Sequence, residues 1–164
     1  MKVFRVVADS SCLISLAQID KFKLLKDLFL EVYIPHAVYD EVVIKGEGEA
    51  GSDNVETAIK DGWLLKKAVE DDIAVNALTT LLGKGESEVI ILFKELGLAY
   101  ALIDEKTARD VASLIDVKTI GKAKGKSKRG HTLISDLISS NRLLISSSLD
   151  IFDFIIVTRR LMEE

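Results

Sequence analysis

Four acidic residues occupy positions where a carboxylate could take part in chemistry: Asp9, Glu41, Glu86 and Asp104. Asp9 and Asp104 each follow an apolar run that is typical of a buried parallel strand. In open α/β sheets, ligands bind outside the carboxyl ends of the strands. We therefore expect both carboxylates to lie at one edge of the sheet, where a ligand would bind.

The other two acids lie on predicted helices. Glu86 opens a helix after a Gly-Lys-Gly loop, where a negative charge also favours the helix N-terminus. Glu41 shares a helix face with Ala37 and Val38, one turn earlier, so it should project toward the apolar side of its helix. A buried carboxylate is costly unless it is paired or bound to a metal. Capping alone therefore does not explain Glu41.

The four acids together predict a metal site. Singly, Asp9 and Asp104 could be helix caps, and Glu86 could serve only the helix N-terminus. Four carboxylates at one sheet edge would repel one another unless a cation lay among them. Oxygen-only ligands favour Mg²⁺ or Mn²⁺, and such a cluster activates water for attack on a phosphodiester.

The elements that must position these residues alternate between strands and helices. Apolar runs predict strands over residues 3–8, 31–35, 62–69, 98–104 and 117–120. Helices are predicted over 12–19, 22–29, 36–44, 53–60, 71–83, 83–97 and 105–115, followed by two more over 131–142 and 148–162. This order predicts a single α/β domain over residues 1–164, a three-layer α/β/α sandwich with a mainly parallel central sheet.

Several helix ends are predicted from capping residues. Ser10 or Ser11 should cap the first helix and Asp20 the second. A capping box begins at Asp53, and Gly83 should end the helix that starts at residue 71.

Composition excludes several classes of protein. The chain has 164 residues, 48% of them hydrophobic, and a net charge of −4. No apolar stretch is long enough to cross a membrane. The single cysteine excludes an internal disulfide and fits a cytoplasmic location, and neither histidine has partners at the spacing of a structural zinc site.

One segment is strongly basic despite the negative net charge. Six of the thirteen residues from Lys118 to Gly130 are lysine or arginine, and none is acidic. Such a run is either a solvated loop or a contact surface for phosphates, which need local positive charge. The candidate RNA-binding residues are Lys122, Lys124, Lys126, Lys128 and Arg129.

Residues 3 to 121 resemble a PIN domain. The resemblance rests on "VVADSSCLISLAQIDKFKLLKDLFLEVYIPHAVYDEVV" and "GKGESEVIILFKELGLAYALIDEKTARDVA". It is greatest to the small prokaryotic and archaeal branch with a GE-x-E helix and an ID[DE]-x-x-AR segment. The resemblance implies a metal-dependent ribonuclease, VapC-like, which would be the toxin of a toxin–antitoxin pair with an antitoxin peptide as its partner.

The resemblance also assigns residues. It implies that Asp9, Glu41, Glu86 and Asp104 are the catalytic and metal-binding acids, with Glu88 competing with Glu86 for its place. Ser11 matches a hydroxyl near the metal, and Glu105 would act through water. Arg109 matches the arginine of the "AR" pair, as a phosphate contact or as part of a salt bridge on the helix surface.

Other interpretations of the sequence stay open. The chain departs from the family after residue 121, where the basic segment replaces an apolar helix. The apolar C-terminal stretch "LDIFDFIIVTRRL" indicates packing in a homodimer or against a partner. The alternative function is a non-catalytic PIN-like module that binds RNA or a partner. A phospho-acceptor domain or a dehalogenase-type phosphatase fits poorly, because Ser10 and Ser11 follow Asp9.

Overall fold

A five-stranded parallel sheet forms the centre of the fold in the computed structural model, which describes residues 4–120. The strands are β1 (Arg5–Ala8), β2 (Glu31–Pro35), β3 (Leu64–Lys67), β4 (Tyr100–Leu102) and β5 (Thr119–Ile120). Their order is β3-β2-β1-β4-β5, and every neighbouring pair is parallel. The predicted α/β fold with a parallel sheet is confirmed.

The direction of chain travel reverses beside β1. From β1 the chain moves outward to β2 and β3, then returns to the other side of β1 to form β4 and β5. Val6 of β1 therefore pairs with Val32 on one side and with Tyr100 on the other. In open α/β sheets, such a reversal leaves a crevice at the carboxyl ends of the two strands. Here those strands are β1 and β4.

Seven α-helices and one π-helical segment surround the sheet within residues 4–120. They are α1 (Ser10–Gln18), α2 (Leu24–Leu28), α3 (His36–Tyr39), the π-helical segment (Asp40–Ile44), α4 (Ser52–Lys60), α5 (Asp72–Leu78), α6 (Lys84–Leu96) and α7 (Lys106–Leu114). Helix α6 packs on β1, β2 and β4 between α5 and α7, whereas α1 and α4 contact the π-helical segment. Crossovers between parallel strands are almost always right-handed, and with this strand order that rule puts the connections before β3 and those after it on opposite faces of the sheet, giving three layers.

The centre of the sheet is buried on both faces. Val6, Val7 and Ala8 have no exposed surface, and Ala101 and Leu102 of the neighbouring strand are also buried. Two-sided burial explains why these strands read as continuous apolar runs rather than as alternating patterns. Asp9, the first residue after β1, is buried as well.

Three predicted ends of helices after α1 are wrong. No capping box forms at Asp53, because α4 begins one residue earlier, after Gly51, whose φ of 99° is a conformation open to glycine. Asp20 does not cap the second helix, which begins at Leu24 after Lys23. Gly83 is the N-cap of α6 rather than the end of α5, which closes at Leu78. The hydroxyl groups of the two threonines after Leu78 bond to backbone carbonyls there, which favours an early end.

The predicted helices over 131–142 and 148–162, and the candidate RNA-binding residues, lie outside the described residues. None of the helices between residues 4 and 120 combines the length and the hydrophobicity that a membrane span requires.

Candidate active site

Asp9 lies at the junction of β1 and α1 and is only 2% exposed. Its Oδ1 accepts a hydrogen bond from the backbone N–H of Cys12 at 2.7 Å, so Asp9 itself is the N-cap of α1. Its Oδ2 accepts the backbone N–H of Asp104 at 3.0 Å. The prediction that Ser10 or Ser11 caps this helix is therefore wrong, because the preceding aspartate takes that role. Both carboxylate oxygens of Asp9 are held by backbone donors.

The environment of Asp9 opposes its ionisation. Burial raises the pKa of Asp9 from 3.8 to about 7. The two backbone N–H donors act in the opposite direction, while the charges of Asp104 and Glu86 raise the pKa further. These effects show that the carboxylates of Asp104 and Glu86 lie close enough to Asp9 to act on its charge. A cation at this position would favour the ionised form of Asp9 and so lower its pKa.

Asp104 follows β4, directly beside the end of β1, and its Oδ1 is buried. The next residue, Glu105, caps α7 by accepting the backbone N–H of Ala108 at 2.7 Å. This hydrogen bond is the main reason that the pKa of Glu105 is lowered. Arg109 donates from Nη1 to the backbone carbonyls of Ile103 and Asp104. Glu105 and Arg109 therefore shape the turn that presents Asp104.

Glu41 reaches the site from the π-helical segment, where the backbone N–H of Lys45 bonds to the carbonyl of Asp40. Its Oε2 accepts a hydrogen bond from the hydroxyl of Ser10 at 2.6 Å. The carboxylate also lies against the backbone of Gly85, where a Cβ atom would come within 2.8 Å of Glu41 Oε2. Glu41 is half-buried and turned inward, as predicted. π-helical turns are frequent at functional sites.

The two glutamates of α6 have different surroundings. Glu86 is half-buried in the first turn, with its carboxylate folded back beside Gly83. Glu88 is 9% exposed, and its Oε2 accepts the backbone N–H of Ala37 at 2.9 Å, at the start of α3. Helix α3 has no side-chain cap of its own at Pro35, so Glu88 of α6 supplies the acceptor for a backbone N–H in its first turn. Its other oxygen faces Lys84 at 3.7 Å.

Short links connect the four predicted acids to one another around the ends of β1 and β4. Asp9 is bonded to the backbone of Asp104, Ser10 joins Asp9 in sequence and Glu41 in space, and Gly85 contacts Glu41 while preceding Glu86. Glu88 lies instead at Ala37. Ser11 is exposed, and it is Ser10 whose hydroxyl meets an acid of the site.

Sequence reasoning therefore missed Ser10. The signal was available, because an aspartate directly before two serines is itself a strong N-cap and leaves their hydroxyl groups for other partners.

The donor set suits a hard divalent cation, because it consists of carboxylate oxygens around a buried acid of raised pKa. Among residues 4–120, no three acidic, histidine or cysteine side chains are arranged to hold a metal ion as they lie. Glu41 is turned to Ser10 and Glu86 to Gly83. Carboxylate oxygens are the right type of donor. The carboxylates of Glu41 and Glu86 would have to move to join Asp9 and Asp104, and rotation of their side chains allows this movement.

Comparison with known proteins gives one family. A family model described as a PIN domain matches residues 5–148, which is most of the chain. No curated protein and no solved structure matches it significantly.

Proposed function

The chain belongs to the PIN-domain family, whose members are generally nucleases, and from this premise we propose that it is a Mg²⁺-dependent endoribonuclease and the toxin of a toxin–antitoxin pair. The pairwise links among four acids carry the proposal: Asp9 is bonded to Asp104 and affected by the charge of Glu86, and Glu41 is bonded to Ser10, the residue next to Asp9. Asp9, Glu41, Glu86 and Asp104 would be the catalytic and metal-binding residues, with Mg²⁺ or Mn²⁺ as the cofactor.

The chain's own residues would prepare the site in distinct ways. A bound divalent cation would supply positive charge for the scissile phosphate and lower the pKa of an attacking water. Asp9 would be the fixed ligand, because two backbone donors hold its carboxylate in one orientation. Asp104 lies at the next strand end, with its backbone held by Asp9 and Arg109. Glu41 and Glu86, on longer side chains, would adjust around the cation.

The remaining assignments extend this proposal. Glu105 would act only through water, because it is exposed and caps α7. Arg109 has other guanidinium nitrogens besides Nη1 with which to meet a phosphate. The RNA substrate would contact the basic segment that contains Lys122, Lys124, Lys126, Lys128 and Arg129. A cognate antitoxin peptide, a homodimer, a single domain over residues 1–164 and a cytoplasmic location complete the proposed description.

The decisive experiment separates cutting from binding. Protein purified free of any partner is expected to cleave RNA with Mg²⁺ or Mn²⁺, to leave double-stranded DNA intact and to stop on chelation. Glu41→Gln keeps side-chain size and the acceptor for Ser10, so the variant should bind RNA but lose most of its cleavage.

Two outcomes would count against the proposal. Wild-type protein that binds RNA without metal-dependent cutting of any RNA offered, from tRNA to unstructured oligomers, would favour a binding module. Cutting by Glu41→Gln at the wild-type rate would identify a contaminating nuclease.

A further inference from the structure

Two lysine side chains approach the short helix α3 from different elements. Lys84 opens α6, and its Nζ lies 3.7 Å from Glu88 Oε1. The other oxygen of Glu88 accepts the backbone N–H of Ala37, in the first turn of α3. Lys66 of β3 places its Nζ 3.9 Å from the centre of the ring of Tyr39, the last residue of α3. The ammonium groups of Lys84 and Lys66 therefore flank α3 at its two ends.

Both ammonium groups carry charge that reaches solvent. The Lys84 side chain is 71% exposed, and its long contact with Glu88 at the surface offsets little of that charge. Lys66 is also exposed, and among residues 4–120 no acidic side chain pairs with it. An aromatic ring attracts a cation without neutralising it, so Tyr39 holds the Lys66 charge in place. One exposed acid, Asp40, follows Tyr39 on the same helical stretch.

The Lys84 end of this surface adjoins the acidic crevice. Gly85, the next residue, lies so close to Glu41 that a Cβ atom there would come within 2.8 Å of Glu41 Oε2. Strand β3, which carries Lys66, is the edge of the sheet opposite to β5. The acids of the crevice repel the phosphates of a nucleic acid, so a bound strand needs cations beside them. Lys84 and Lys66 supply such cations on the β3 side of the crevice.

We propose that Lys84 and Lys66 bind backbone phosphates of the RNA substrate where it leaves the crevice and passes over α3 toward β3. The proposal rests on the RNA-cleaving function proposed above and adds a contact surface on the side of the sheet away from the basic segment. Tyr39 is a positioning residue, because its ring orients the Lys66 ammonium group. Phosphate contacts fix the path of a strand and carry no sequence information, so this surface should bind different RNA sequences alike.

The neighbouring Lys67 provides a matched control. It is as exposed as Lys66 and carries the same charge. Successive side chains of a strand point to opposite faces of the sheet, and Lys66 points to the face on which it meets Tyr39. Lys67 is therefore directed away from α3 and should not contact the RNA.

Binding of a fluorescein-labelled oligouridine in EDTA, followed by fluorescence anisotropy, tests the two lysines without cleavage. Loss of one lysine–phosphate ion pair should flatten the slope of log affinity against log salt concentration by about 0.7, which is about 5-fold weaker binding at about 0.1 M salt. Lys84→Gln and Lys66→Gln should each show this loss, and the double variant should show both. Lys67→Gln should bind as the wild type does. Thermal melts of each variant verify that it is folded.

A double-mutant cycle with the same probe tests the role of Tyr39. Tyr39→Phe keeps the ring and should bind RNA as the wild type does. Tyr39→Leu removes the ring and should weaken binding, but in a Lys66→Gln background it should have less than half of that effect, because the ammonium group is already gone. Asp40→Asn removes the negative charge beside the surface and should tighten binding. Equal effects of Tyr39→Leu in both backgrounds would overturn the positioning role.

Two results would overturn the proposed surface and leave the proposed function standing, provided that the wild type cleaves RNA with Mg²⁺. One is a wild-type slope and affinity in the double variant of Lys84→Gln and Lys66→Gln. The other is a loss in Lys67→Gln as large as that in Lys66→Gln, which would reflect net charge alone. A wild-type protein that neither binds nor cleaves RNA would overturn the proposed function itself, and these phosphate contacts with it.

Discussion

The backbone N–H of Asp104 donates to Asp9 Oδ2 at 3.0 Å. The side chain of the acid after β1 is therefore bonded to the backbone of the acid after β4. Only one of the two side chains takes part in this bond. Asp9 therefore contributes to the fold as well as to the proposed site, because its carboxylate caps α1 and joins two strand ends. Asp104 contributes to the same bond through its backbone, which a change of side chain leaves intact.

Asp104→Asn should separate stability from activity. The substitution keeps the backbone donor to Asp9 and removes a charge that raises the pKa of Asp9. In EDTA, the thermal stability of the variant should equal or exceed that of the wild type, while metal-dependent cleavage is abolished. Thermal melts and cleavage assays of the two proteins measure both effects. A clearly lower melting temperature for the variant would instead mean that the Asp104 side chain is structural.

The metal-free protein should lose stability as pH rises through the pKa of Asp9. Burial raises that pKa from 3.8 in the unfolded chain to about 7 in the folded one. Between these values the folded chain binds more protons, so the contribution of Asp9 is fully present below the lower pKa and disappears as pH approaches the higher one. The total decrease is about 4 kcal/mol, at 1.36 kcal/mol per pKa unit.

Comparison with Asp9→Asn isolates this effect from the other acids. The variant loses an acceptor for one backbone N–H, a cost that does not depend on pH. In EDTA, the free energy of unfolding of the wild type minus that of the variant should fall between about pH 4 and about pH 7. Added Mg²⁺ should restore the lost stability in the wild type alone. A constant difference across this range would show that Asp9 is not a buried acid of raised pKa.

The sequence predicted the strands well because burial on both faces leaves a clear trace. Val6, Val7 and Ala8 are apolar without a break, and the acid that follows them had to lie at the strand end. From that position the reversal beside β1 brings Asp9 to Asp104.

The rest of the site depends on geometry that one sequence does not encode locally. Nothing in the sequence around Glu41 indicates a π-helical turn or a hydroxyl partner from a distant helix. The start of α4 depends on the left-handed backbone of Gly51 rather than on a side-chain cap. The family resemblance makes Glu88 a competitor of Glu86, whereas the packing of α3 on α6 places its carboxylate at a backbone N–H. Contacts between layers decide these roles.

Gly85→Ala should disturb the site and spare the fold. The new Cβ atom would lie 2.8 Å from Glu41 Oε2 and 3.1 Å from Oε1, and the flexible end of Glu41 can move aside. Alanine favours helices over glycine by up to about 1 kcal/mol, so stability should be unchanged or higher. Mn²⁺ affinity should fall, because the new Cβ atom takes up space that the Glu41 carboxylate occupies beside α6.

Gly46→Ala is the contrasting control. Its Cβ atom would meet the backbone oxygen of Val42 at 2.5 Å, so the backbone must shift and the melting temperature should fall. Full Mn²⁺ affinity in Gly85→Ala would show that the close fit of Glu41 against α6 is not required for binding.

Glu88 should prove to be structural rather than a metal ligand. Glu88→Ala leaves the N–H of Ala37 without its acceptor and should lower the free energy of unfolding by about 1–3 kcal/mol. Glu88→Gln keeps an oxygen acceptor and should cost less, with the gain in melting temperature on adding Mg²⁺ unchanged. Glu56→Ala, which breaks an exposed pair with Lys60, is the control and should cost about 0.5 kcal/mol or less. Disappearance of the Mg²⁺ effect in Glu88→Gln would return Glu88 to the metal site.

Neutralising the basic segment should weaken RNA binding and leave the metal site intact. Replacing Lys122, Lys124, Lys126 and Lys128 by glutamine removes four charges outside the described residues. For single-stranded RNA, removal of each lysine–phosphate ion pair should flatten the slope of log affinity against log salt concentration by about 0.7. Mn²⁺ affinity should not change. Lys23→Gln with Lys26→Gln, on exposed positions before β2, is the matched control and should keep the wild-type slope. Equal slopes for all three proteins would show that the basic segment is solvated and does not contact RNA.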